Sequence, residues 1–234
     1  MTELSVNHRE RIDSGLGFVW DKLPTAAHTA ADIPPGATDV VLLRIKRSHK
    51  GIAGQPQIRR LWAHNVDQAY LDEITPLRDL ESLYMTRVTA TDLSALRDMP
   101  KLQSLSVIDA TKLTTLDWLP RTPTLRALAL ENLKRIESVD ALSSLPQLRA
   151  VAIEGSMWTP MRIASLQPLA ALHALEYVFL TNLRVADKSL EPLHGLKQLK
   201  ALHCADFYNA AQFRKLALAQ PRLRCDWFNK YPAA

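Results

Sequence analysis

Residues 125–132 read LRALALEN, and 23 residues later 148–155 read LRAVAIEG. A chain that holds its apolar positions while the others drift is writing one structural unit again and again. That constrains the fold more than any other feature of the sequence. Aligned on this opening, segments start at Ile58, Leu80, Leu102, Leu125, Leu148, Leu175, Leu199 and Leu223, at spacings of 22, 22, 23, 23, 27, 24 and 24 residues. Each opens on the pattern L-x-x-L-x-L. The fourth positions are Leu61, Leu83, Leu105, Leu128, Val151, Val178 and Leu202; the sixth are Ala63, Met85, Val107, Leu130, Ile153, Leu180 and Cys204. All 21 template positions of the first seven segments are apolar, counting Ala and Cys. In a chain that is 47% hydrophobic, unpatterned placement would do this on the order of once in 10⁷ trials.

The second half of each segment has its own period. Leu93, Leu96, Met99 and Leu102 stand three apart, as do Leu166, Leu169, Leu172 and Leu175, and Leu190, Leu193, Leu196 and Leu199. A spacing of three suits a turn or two of 3₁₀ or short α-helix with one apolar edge turned inward. Pro76, Pro168 and Pro192 are then expected early in a helical turn, where a missing N–H costs little. Each segment reads as a short strand, a turn and a short helical return. One such unit cannot bury its own apolar edge, whereas stacked units bury a continuous leucine column.

The L-x-x-L-x-L starts, with EITPL, TDLSAL, SVDAL and SLEPL in the returns, resemble the leucine-rich repeat superfamily. Within it they are most similar to the subclass of about 22 residues found in bacterial internalins and in a protein-phosphatase-1 regulatory subunit. The resemblance covers residues 58–223. It implies an α/β solenoid, a curved horseshoe with parallel strands on the concave face and short 3₁₀ or α-helical returns on the convex face. Two places after the sixth position, where the family often carries a turn-bonding Asn, this chain has Asn65, Arg87, Asp109, Asn132, Gly155, Asn182 and Asp206. Some turns are therefore expected to be bonded differently, and the insertion SMWTPMRIA in the fifth segment to bulge from the edge.

Residues 1–37 lack the repeat and are read as an N-terminal cap, 38–222 as the solenoid, and 223–234 as a C-terminal cap strand and tail. Val40, Leu43 and Ile45 fit the opening pattern 18 residues before Ile58 and suggest a truncated first coil. After Leu223 the pattern breaks, with Asp226 at the fourth position and Trp227, Phe228 and Tyr231 placed to lid the core.

Positions three, five and seven of such strands point away from the core. On this frame the candidate partner-binding residues are Arg60, Trp62, His64, Tyr84, Glu131, Glu154, Tyr177, Phe179 and His203, joined on the same face by Arg44, Ser82, Thr86, Ser104, Ser106, Ala127, Ala129, Ala150, Ala152, Thr181 and Ala201. Trp62, Tyr84, Tyr177 and Phe179 on a solvent-facing sheet read as anchors for a partner. Glu131 and Glu154 should lie one strand spacing apart, roughly 5 Å. That reads as a socket for a partner's Arg or Lys, unless Lys134 and Arg135 already neutralise the pair.

Little else in the sequence carries chemistry. None of the seven histidines has ligand spacing, so no metal and no cofactor are expected. Glycines are few and unclustered, which disfavours a phosphate cradle. Cys204 and His203 fall on opposite faces of their strand. Cys204 and Cys225 are likewise placed on opposite faces, against a disulfide. A net charge of +5 demands no polyanion. Arg44, Lys46, Arg47, Lys50, Arg59 and Arg60 near Trp62 form half of a nucleic-acid cluster. Residues 1–15 show no apolar h-region and no segment reads as a membrane span, so a cytoplasmic location is expected. By the family resemblance, the expected function is a non-enzymatic protein–protein interaction module that is monomeric by itself. The finer alternatives are an immunity or antitoxin-type inhibitor and an enzyme's regulatory subunit. Nucleic-acid binding or an unrecognised enzyme ranks lower.

Overall fold

The computed structural model describes residues 6–18, 23–119, 124–205 and 207–232. Its strands, in chain order, are β1 (Asp39–Leu43), β2 (Arg60–His64), β3 (Ser82–Thr86), β4 (Ser104–Ile108), β5 (Ala127–Glu131), β6 (Ala150–Glu154), β7 (Met161–Ile163), β8 (Tyr177–Leu180), β9 (Leu183–Val185) and β10 (Ala201–Cys204). The long sheet is β1-β2-β3-β4-β5-β6-β8-β10, parallel throughout and in chain order; β7 and β9 pair as a separate two-stranded sheet. Equivalent template positions face one another across it: Leu61 with Leu83, Leu105 with Leu128, Val151 with Val178. The repeat in the sequence is thus a register in space, one strand per coil.

Every one of the expected inward positions in the returns is buried. Leu93, Leu96, Leu166, Leu169, Leu172, Leu190, Leu193 and Leu196 have no measurable exposure. The 3₁₀ segments Ser94–Asp98, Asp140–Ser144, Gln167–Ala171 and Glu191–Leu193 supply the helical returns. Pro168 and Pro192 sit in the first helical turn as expected. Pro76 does not. The return after β2 is an α-helix, α2 (Gln68–Ile74), capped by the Asp67 carboxylate on the Tyr70 N–H at 2.9 Å, and Pro76 lies beyond its last residue. There the ring stops the helix instead of starting one.

The irregular ladder has a backbone cause. Asn65, Arg87, Asp109, Asn132 and Asn182 all adopt left-handed φ between 50° and 59°. Asn and Asp tolerate this region best, and Arg87 accepts it under the same constraint. Asn182 Nδ2 donates to Ser156 O at 2.7 Å and Asn132 Nδ2 to Asp109 Oδ1 at 2.5 Å. At Gly155 a Cβ would stand 2.5 Å from the carbonyl oxygens of both Asn182 and Thr159, so only glycine fits. Asp206 lies outside the described residues. The insertion does bulge: Met157 and Trp158 are 82% and 87% exposed at its tip.

Register departs from the sequence reading at both ends. Val40 pairs with Leu61 and Leu42 with Ala63. Val40 therefore holds the fourth position and Leu42 the sixth, three residues from the expected frame, and Ile45 is exposed. The first coil is 21 residues from strand to strand, not 18. Arg44 consequently falls past the strand, where its guanidinium makes two hydrogen bonds to Asp67, at 3.0 and 2.9 Å, and one to His49 Nδ1 at 3.0 Å. Burial and then the neighbouring Arg44 charge hold His49 below the ordinary histidine range. At the far end Ala201 bridges Arg224, so Cys225 faces Leu202 and points inward. A slip of one residue flips a strand's faces, and the two thiols come into hydrogen-bonding contact; both are free. Helices α3 (Ala210–Ala219) and α4 (Trp227–Lys230) close this end. Phe213 is fully buried there, with Tyr208, Trp227 and Tyr231 ringed at 6.0, 6.1 and 5.5 Å.

Residues 23–37 cover the opposite end only in part. Ala27 adds a bridge beside Leu42, and Ala30 and Ile33 join the core. Residues 6–18 do something else.

Candidate functional site

Helix α1 (Val6–Asp13) ends in a Schellman stop. Gly15, at φ 80°, donates to Ile12 O at 3.0 Å, and Leu16 donates to Arg11 O at 2.9 Å. That stop turns the chain out of the helix and onto the concave sheet. From α1 to Phe18 the segment runs across the concave face from the last coils toward the first, as a strap.

Each contact of the strap meets a row of sheet residues. Glu10 reaches His203 of β10 and Arg224 beyond it. Arg11 makes a forked ion pair with Glu154 at the end of β6, one prong being Nη1 to Oε1 at 3.1 Å. Its guanidinium carbon sits 4.8 Å from the Phe179 ring centroid, and His203 stacks on the same ring at 4.8 Å and 13°. Bidentate arginine–carboxylate pairing is the strongest and most directional of the ion pairs a protein makes. Ser104 Oγ donates to Gly15 O, and Ser106 Oγ to Leu16 O at 3.2 Å. Leu16 lies against Ala127, Ala129, Ala150, Ala152 and Phe179, an apolar cluster separate from the leucine column, with Tyr177 at its margin. The strap ends with Phe18, 6.2 Å from the Trp62 ring.

The small residues at the centre of the sheet explain this approach. Alanines at 127, 129, 150 and 152 leave room for another backbone at van der Waals distance, and the two serines supply donors to its carbonyls. Leu16, Phe18, Glu10 and Glu154 are 2%, 3%, 7% and 5% exposed.

The candidate residues divide accordingly. Glu154, Phe179 and His203 are under the strap. Burial pushes the His203 imidazole down, against the pull of the carboxylates around it. Tyr177 is half-buried, with Lys200 Nζ 5.9 Å from its ring. At the other end Trp62 and Tyr84 meet edge-on at 5.2 Å and 70° and stay half-exposed. His64 Nδ1 lies 2.7 Å from Thr86 Oγ1, its pKa lowered by burial and then by Arg87. Arg60 pairs with Asp39.

Glu131 and Glu154 are in register on neighbouring strands, so the two acids adjoin as a carboxylate pair. Its cation comes from this chain's own Arg11; Lys134 and Arg135 are exposed. Only Glu154 is matched. Glu131 takes no ion pair among the described residues, and burial, then the Glu154 charge, raises its carboxyl pKa. The Tyr84 phenol is pushed up to about 12 by burial and then by Glu131. The basic cluster near Trp62 is largely spent: Arg44 on Asp67, Arg59 on Asp79 and Glu81 at 3.5 and 3.8 Å, Arg60 on Asp39.

No protein-family model and no curated protein matches the chain. Solved structures do. Internalin C2 from Listeria monocytogenes superposes with a TM-score of 0.56 at 21% identity, over 74% of this chain and 71% of that one. The internalin InlF of the same organism superposes with a TM-score of 0.57 at 16% identity, over 79% of this chain and 58% of that one. The fold is a leucine-rich repeat solenoid. In leucine-rich repeat terms, the strap is a non-repeat segment folded back into the horseshoe's own concavity. Two signals for it were in the sequence: the Ser14-Gly15-Leu16 helix stop, and four alanines on a sheet face that had no chain assigned to cover it.

Proposed function

We propose that this leucine-rich repeat protein is a non-enzymatic interaction module that grips a polypeptide on its concave face. The supporting observation is that this face already holds a polypeptide. Residues 8–18 are bound there through a forked ion pair, hydroxyl-to-carbonyl hydrogen bonds and a leucine on an alanine floor. These are the contacts by which protein interfaces fix an anchor, orient a backbone and exclude water. The residues the strap leaves half-exposed, Trp62, Tyr84 and Tyr177, are of the types that carry interface energy. Glu131 adds an unmatched acid beside them. In a reducing compartment Cys204 and Cys225 remain thiols, consistent with a cytoplasmic protein.

The test uses a partner recovered by affinity capture on the full chain. Replacing Trp62 and Tyr177 together with Ala should weaken capture at least tenfold, while the far-ultraviolet spectrum and melting transition stay cooperative. Undiminished affinity in the folded double variant would place the partner elsewhere.

A further inference from the structure

The strap fills the concave seat with little structure of its own. Its helix has eight residues, too few to persist in water unsupported. It is held because it is tethered: a segment joined to its site through a short linker competes at an effective concentration on the order of millimolar. A tethered, individually weak occupant is one that a free polypeptide with better contacts can replace.

We propose, building on the concave-face reading above, that residues 8–18 act as a resident ligand, and that the partner presents the same recognition chemistry. That chemistry is an acid and an arginine side by side in the last turns of a short helix, as Glu10 and Arg11 are. A residue in the left-handed region ends the helix, and a leucine-sized side chain follows five positions after the arginine. The arginine enters the Glu154 carboxylate over Phe179, the acid meets His203 and Arg224, and the leucine lies on Ala127, Ala129, Ala150 and Ala152. Partner and strap occupy one seat, so the strap lowers the partner's apparent affinity by the fraction of time it is bound.

The probe is a fluorescein-labelled synthetic peptide of residues 6–18, read by anisotropy. The full chain carrying Arg11→Glu and Leu16→Asp, which expels its own strap, should bind the peptide at least tenfold tighter than the wild-type chain does. A peptide carrying Arg11→Glu should not bind this released chain, and adding Glu154→Arg to the released chain should restore its binding. A recovered partner should displace the labelled peptide. Should the released chain fold poorly, the wild type gives the answer alone: in the ¹⁵N-labelled chain, saturating unlabelled peptide should move the amide signals of residues 8–18 to unstructured positions. Equal peptide affinity for wild-type and released chains, indifference to the charge reversal, a partner that binds alongside the peptide, or amide signals that do not move would each overturn the proposal. So would a wild-type dimer that Arg11→Glu dissociates, since the seat would then belong to a second copy. Peptide exchange that holds while the Trp62/Tyr177 double variant keeps its partner would instead count against the concave-face function alone.

Discussion

Leu128 and Ala129 are adjacent in the chain and serve two different apolar clusters. Leu128 enters the column inside the solenoid, whose members recur once per coil and meet their neighbours in the stack. Ala129 enters the floor under the strap, where the partner residue Leu16 lies more than a hundred positions away. The column is made of large side chains that each coil repeats. The floor is made of small ones that act only because another segment arrives. The first kind of cluster builds the fold; the second kind seats one segment on a surface of a fold already built.

That difference can be broken most severely at the column. Leu128→Asp places a carboxylate among leucines with no partner, a cost of several kcal/mol, about the stability of a whole domain. The variant should show no cooperative melting transition by circular dichroism. A soluble, cooperatively melting Leu128→Asp chain would mean the column is misassigned.

The same chemistry on the floor should do far less to the fold. Leu16→Asp should free the strap at a local cost of about 1.5–3 kcal/mol, the burial of one leucine. Hydrogen exchange should show residues 8–16 losing protection while β4, β5 and β6 keep theirs. If the strands lost protection together with the strap, the two clusters would be one cooperative unit.

Glu131 sharpens the comparison most gently. A carboxyl whose pKa is raised by folding contributes most to stability below its ordinary range and loses that contribution as pH rises through the raised value. At pH 7 it is therefore a liability beside Glu154. Glu131→Gln should stabilise the chain at pH 7 by less than about 1 kcal/mol, since the group is partly exposed. The gain should fade on acidification, as the Glu131 carboxyl takes up its proton. Melting curves of the two chains at pH 4 and pH 7 decide it; a stabilisation that grows on acidification would reverse the assigned sign.

The column was legible because burial there follows a period that composition cannot mimic. Strand faces followed from it, and so did the Glu131–Glu154 pairing. Register failed where the period had no neighbour to check it. In the first coil Val40 could be read as a first or a fourth position, since Val, Leu and Ile crowd residues 40–45. In the last strand Leu223 offered a false first position one residue late, which turned Cys225 outward on paper and inward in the molecule. The strap was not legible as an occupant. Its contacts join Glu10 to His203, 193 positions away, and to Arg224 further still, and nothing in residues 6–18 alone says which of many acids Arg11 will meet. Once the alanine row is on the page, the match is steric and electrostatic at once, and it depends on two distant parts of the chain that sequence order keeps separate.

Because the strap is anchored at the last coils by Glu10 and at the early coils by Phe18, it lies as a chord beneath the arc of the sheet. The first coils and the last are thereby joined through one segment, a link that no contact between neighbouring coils supplies.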